Sequence, residues 1–509
     1  MRQDRRVPRK TSSLMSSMQR PTHALTEGAI GKTLFLFSLP ILAGNVLQSL
    51  NGSVNAIWVG HGLGEAALAA TSNANTILFF LIGAVFGIGM AGTILVGQSI
   101  GAKNIDQAKR TIGTCLVFFL VLSVAIAVLG LYLSEPLMAW MRMPAESKPL
   151  AVAYLRIIFL GIPFIYVLTF ISMTLRGAGD ARTPFIFLAM NVVLDIALNP
   201  LFIFGLGPIP AMGIRGSSTA SLIATSLTLF ALIAYLYRSK HFLRIQRHES
   251  HYLKIDREIL KALVAKGLPM GLQMIVMSLS MLMMISLVNS FGAHTTAAYG
   301  ACFQLWNYIQ MPSLAVGMAA SSMAAQNVGA QRWDRVNRIA LTGVGFNFLL
   351  TGSLVVLIYL FNRGALNLFL PATGGAIEIA QHINHVVVWS FVFFGISFVL
   401  AGVVRSTGAV IPPLIILVIA LWLVRIPFAY GLVSAWGADA IWWSFPLGSV
   451  VSMTLSAAYY RWGGWRKARM LGKAAPTDAR AIDPTPPVGP TVPVEPGSPA
   501  GDELAEQRV

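Results

Sequence analysis

Three polar side chains interrupt one long apolar run. Asn191, Asp195 and Asn199 lie within Pro184–Leu206, each four residues from the next. On a helix that spacing stacks them along one face. A carboxylate so placed binds a cation when ionised and releases it when protonated, and the two amides add oxygen ligands and N–H donors. At bilayer depth such a charge costs about 2.5–3.5 kcal/mol on insertion scales, and it is kept only where it faces a cavity or a partner. Asp195 is the one carboxylate deep in any apolar segment of the chain. An ion or substrate site is therefore the leading reading, and a structural Asp satisfied by neighbouring helices is the alternative.

Other residues could line a path for a substrate. Asn45, Gln48, Gly52 and Asn55 follow helical spacing through the first apolar segment. They suit a cavity lining, or bonds from helix to helix. Arg425, within Leu421–Pro427, is the other deeply placed charge; it either snorkels or biases one state of a two-state machine. A Met-rich seventh segment, with Met277 and Met281, and an eighth with Gln304 and Trp306 would give an adaptable wall, or simply core. Enzymatic chemistry finds no support. Gly87–Gly92 matches GxGxxG but sits inside an apolar segment with no strand before it, and there is no phosphate loop or HExxH. His382 and His385 fall near a segment end, and no cofactor is expected.

These residues need elements that cross a membrane. Of the 509 residues 55% are hydrophobic and 11% charged, with mean hydropathy +0.68, far from soluble usage. Twelve apolar segments are expected, at 33–59, 72–97, 111–133, 150–175, 184–206, 213–237, 265–289, 296–322, 339–361, 384–404, 411–434 and 439–460. Lys and Arg concentrate in alternate connections. The exceptions are Arg142, Lys148, Arg156, Arg215, Arg363 and Arg425. This puts both termini in the cytoplasm and makes the formal charge of +17 a topology signal rather than a nucleic-acid footprint. The expected organisation is a basic N-tail (1–32), a six-helix bundle (33–240), a linker (241–264), a second bundle (265–465) and a disordered Pro-rich tail (466–509). Within the linker, Ile255–Val264 has the pattern of an amphipathic surface helix.

The halves repeat. Gly64, Gln98, Gly101 and Arg110 match Gly292, Gln326, Gly329 and Arg338 at an offset of 228. With a one-residue slip, Leu39-Pro40 matches Leu268-Pro269, and Arg176 matches Arg405. Six segments per half make the repeats parallel, as in alternating-access carriers.

Val59–Gly64, Gly97–Lys103, Leu175–Pro184 and Asn191–Pro200, with the Leu-Pro opening, resemble the multidrug and toxic compound extrusion (MATE) transporters. The resemblance covers about residues 30–465. It implies an all-α protein of twelve helices in two bundles, exchanging drug-like, often cationic compounds for protons or sodium. It implies that Asp195 with Asn191 is the ion-coupling pair, and that Ser221 stands where relatives have Thr. Two positions depart from the pattern: Asn55 replaces a first-helix Asp, and Met277 replaces a seventh-helix Glu. Both departures point to the DNA-damage-inducible branch.

The expectation is a bacterial inner-membrane antiporter, acting as a monomer. Asp195, Asn191, Asn55, Ser221 and Asn199 would form the H+ or Na+ site. Asn45, Gln48, Met277, Met281, Gln304, Trp306 and Arg425 would line the substrate cavity. A lipid-linked saccharide flippase, or a channel or sensor, is the rival.

Overall fold

The structure is a computed structural model describing residues 25–141, 144–205, 210–370 and 375–471. Residues up to Met470 form one compact unit; the second, Leu471–Val509, lies outside the described residues but for Leu471. The first six helices are α1 (Ile30–Leu63), α2 (Glu65–Gly101), α3 (Ile105–Trp140), α4 (Lys148–Gly177), α5 (Arg182–Phe204) and α6 (Ile214–Arg238). The second six are α7 (Arg257–Asn289), α8 (Ala293–Gly329), α9 (Trp333–Leu360), α10 (arms Ala376–Val387 and Ser390–Arg405), α11 (Ile411–Trp436) and α12 (Asp439–Trp462). The described residues contain no strand.

Among the described residues nine of these helices are long and apolar enough to cross a bilayer, and the bent α10 makes ten. Helices α8 and α12 fall short in hydropathy for a packing reason. The α8 residues Ser321, Ser322, Gln326 and Asn327 are buried, as are Ser444, Ser452 and Ser456 of α12. Faces that meet protein need not be apolar. Helices α3 and α7 start ahead of their apolar segments, where a side chain caps them. The Asn104 side chain, for example, accepts from the Gln107 N–H (2.9 Å) and starts α3 six residues before its apolar segment at 111.

Two expectations change. Residues 257–264 are not a separate surface helix but the first turns of α7. Asp256 caps that helix by accepting from the Glu258 and Ile259 N–H groups, and no breaker separates it from the apolar run. The other change concerns the tail expected from 466. It is ordered at its start: Arg466 Nη2 donates to Asn337 Oδ1 (3.0 Å), and Met470 is buried. The basic N-tail to residue 24 and the Pro-rich tail from 472 lie outside the described residues.

The two halves meet at the end that carries the basic connections. An added Cβ at Gly101 would run into the Gln326 carbonyl, and one at Gly329 into the Gln98 carbonyl. Only glycine lets these backbones approach so closely. Beside them Gln98 Nε2 donates to the Ser406 carbonyl (2.6 Å), and Gln326 Nε2 donates to the Gly177 carbonyl (2.9 Å). Each half thus reaches across with the same residue to the end of the other half's fourth helix. The first half of α1 crosses over as well: Leu34, Phe37 and Ile41 pack in one core with Ala315, Ala319 and Val336. At the opposite end Gln48 and Gly52 of α1 and Gly300 and Gln304 of α8 are exposed, and an added Cβ at Gly52 or Gly300 would meet nothing within 4 Å.

Candidate functional site

Helices α1, α5 and α6 converge on Asp195, which is only 4% exposed. Gly216 permits this, since a Cβ there would strike the Phe202 backbone and push α6 off α5. The Asp195 carboxylate accepts three hydrogen bonds. Asn51 Nδ2 reaches Oδ2 at 2.9 Å, while Ser221 Oγ (2.7 Å) and Asn199 Nδ2 (3.2 Å) reach Oδ1. Asn199 Nδ2 also donates to the Asp195 backbone carbonyl at 2.9 Å. Pro200, one turn beyond Ile196, has no N–H to give the Ile196 carbonyl. Two more acceptors, Asn51 Oδ1 and Asn199 Oδ1, are buried without a hydrogen-bond partner. A carboxylate fed by three neutral donors, with unpartnered oxygens beside it, is suited to exchanging small cations.

The structure brings together some of the expected residues and separates others. Asp195, Asn199 and Ser221 are in direct contact. Asn55 stands one layer away, its Oδ1 accepting from Ser217 Oγ at 2.8 Å, with the buried Tyr154 hydroxyl also against it. Asn191 turns elsewhere, its Oδ1 accepting from Thr228 Oγ1 at 3.5 Å. Asn45 is half-buried and Gln48 exposed. Asn51 is the ligand that reading the sequence missed. Its signal was present, because Asn51 and Asn55 are one helical turn apart.

In the second half Arg425 lies in a π-helical stretch, Ile419–Arg425, ahead of Pro427. Its guanidinium carbon sits 3.5 Å from the Phe445 ring centroid, and its Nε has no partner. Gly448 makes room for it, since a Cβ there would already touch Arg425 Cβ at 3.4 Å. Trp306 does not line an open cavity. It is 1% exposed, packs on Tyr299 and Phe445, and donates to Asn384 Oδ1 at 3.1 Å. Met277 and Met281 are half-buried and Gln304 is exposed. Among the described residues no group of three or more His, Cys, Asp or Glu is placed to hold a metal ion.

Comparison with known proteins adds an independent line. The MatE family profile matches residues 40–201 and 269–431, one match per half. The chain is 35% identical over 460 residues to the probable multidrug resistance protein YoeA of Bacillus subtilis, covering 90% of this chain and 99% of that protein. It is 25% identical over 445 residues to the probable multidrug resistance protein NorM of Thermotoga maritima, covering 87% and 94%. A solved structure described as the outward-facing conformation of a multidrug resistance MATE family transporter superposes with a TM-score of 0.80. That match is 23% identical and covers 87% of this chain and 97% of the other.

Proposed function

The chain belongs to the MatE family of multidrug and toxic compound extrusion transporters, and from that premise we propose that it exports amphipathic, cationic small molecules in exchange for protons. It is a multi-pass membrane transporter and not an enzyme. The exchange reading is carried by one observation: Asp195, buried where three helices meet, is bonded to each of them.

The coupling follows from that bonding. Protonation turns one accepting oxygen of Asp195 into a donor and removes the charge that strengthens the three bonds it receives, so its hold on those donors weakens. Asn51 belongs to α1, whose first half is packed into the other half of the molecule. A change at the carboxylate is thereby passed to the contact between the halves. The sealed basic end and the exposed residues of α1 and α8 at the other end support an alternating-access cycle, caught here closed on the basic side. Sorting of Lys and Arg supports a cytoplasmic basic end, with both termini inside a bacterial inner membrane. The single deep acid supports membership of the DNA-damage-inducible branch. The protein acts as a monomer.

Sodium as the coupling ion is the second reading, favoured by the unpartnered oxygens of Asn51 and Asn199. The test is substrate-induced proton release from vesicles, with and without sodium. Proton coupling requires release in sodium-free buffer and its loss in Asp195→Asn. If Asp195→Asn still shows gradient-driven efflux, the coupling site lies elsewhere.

A further inference from the structure

Three of the six cations that escape the charge sorting to the basic end come together. Lys148, Arg156 and Arg215 line one cavity of about 510 Å³ at the opposite end of the first six helices, together with Glu135, Pro149 and Ile157. The cavity lies over α4, between α3 and α6. Lys148 and Pro149 belong to the first turn of α4 and Arg215 to the first turn of α6, so two helices bring their positive ends to it. Arg156 is held by Ser134 Oγ, which accepts from its Nε at 3.2 Å, and lies 3.8 Å from Glu135. Among the described residues neither Lys148 nor Arg215 has an ion-pair partner. Three cations against one acid, set against the sorting that governs the rest of the chain, call for an anion.

What lies beneath the cavity gives that anion a tail. Leu160 and Phe164 continue the Arg156 face of α4 by one and two turns. Leu160 is 50% exposed, and Phe164 meets the exposed Phe230 of α6 edge-on at 6.2 Å between centroids. A cationic pocket set above an exposed apolar face fits an amphiphile better than a free ion. We propose that this cavity binds the phosphate of an anionic phospholipid, whose acyl chains run along Leu160 and Phe230. The site is separate from Asp195 and does not depend on which ion drives transport.

Native mass spectrometry of the purified full chain in neutral detergent tests this, using phosphatidylglycerol, phosphatidylcholine and inorganic phosphate as probes. Phosphatidylglycerol should be retained in preference to phosphatidylcholine. Retention should fall about fivefold for each cation removed in the series to K148Q/R156Q/R215Q. The charge-keeping variant K148R/R156K/R215K should hold the lipid, which separates loss of charge from loss of fold. The proposal is overturned if the glutamine variant retains the lipid as wild type does, or if both triple variants lose it alike. It is also overturned if millimolar inorganic phosphate displaces the lipid, since the pocket would then read the anion and not the amphiphile.

Discussion

Asp195 could be read from the sequence because a carboxylate in an apolar run is costly wherever the helix turns. Asn199 was legible from its spacing and Ser221 from the family resemblance, and both contact it. The α1 partner was not, because which face of α1 meets α5 depends on the rotation of a helix that is polar on several sides. Asn51, Gly52 and Asn55 are all compatible with one stripe, and only packing selects Asn51. A discriminating prediction follows. Hydrogen bonds to a charged group are worth about 1.5–3 kcal/mol, so Asn51→Ala should reduce ion-coupled efflux in vesicles at least about tenfold. Ser53→Ala, exposed on α1 with its hydroxyl donating to the Ser49 carbonyl, should leave it within about twofold. Equal losses in the two variants would mean that α1 contributes its overall shape rather than a ligand.

At the level of helices, their number and order were legible from apolar length and charge alternation. Two local irregularities were not. The 47° bend in α10 has neither Pro nor Gly at its break. It arises where Phe391 N–H bonds the Val388 carbonyl and Val392 N–H bonds that of Trp389, tightening one turn to three-residue spacing. The π-helical stretch of α11 is equally silent, since hydropathy averages over the widened turn. The repeat did single out Gln98, Gly101, Gln326 and Gly329, but matching landmarks say nothing of what each one touches. With the crossed backbones in view their role can be tested. Gly101→Ala or Gly329→Ala forces a Cβ into a backbone carbonyl. Overpacking of that kind costs about 1–3 kcal/mol, enough to depopulate the sealed form about tenfold. Spin-label distances across the basic end should lengthen in both variants. Gln98→Ala and Gln326→Ala each remove one bond worth about 1 kcal/mol, and should lengthen them less. Unchanged distances in the glycine variants would show that the seal resides elsewhere.

Across the whole molecule, the segments leading into the two halves are each tied to the opposite half. Residues 25–28 are held by Asn327, Arg332 and Arg335, which donate to the carbonyls of Leu25, Thr26, Glu27 and Gly28. The linker is held on α3, where Lys109 pairs with Glu249 at 2.5 Å and Tyr252 donates to Asp106 at 2.6 Å. The Gln246 N–H and then the Lys109 ammonium hold the Glu249 carboxyl below its ordinary value, which is about 4.3 for Glu. A lowered carboxyl stabilises the folded form above that ordinary value, and the contribution is lost as pH falls through the lowered one. Hydrogen exchange in 247–253 should therefore stay protected from neutral pH to about pH 5 and rise only in stronger acid. Glu249→Gln should expose the segment already at neutral pH. Protection that is insensitive to both would assign the linker's order to Tyr252 and Asp256 instead. The solitude of Asp195 also limits what can power the carrier. On the antiport reading, one acid exchanges one proton per turnover, and trading it for a monovalent cation is electroneutral. Membrane voltage, about 2.3 kcal/mol per charge per 100 mV, then does no work on the exchange. What remains is the pH difference, about 1.4 kcal/mol per unit. An uncharged cargo would draw on both, so how steeply a compound can be expelled depends on the charge it carries.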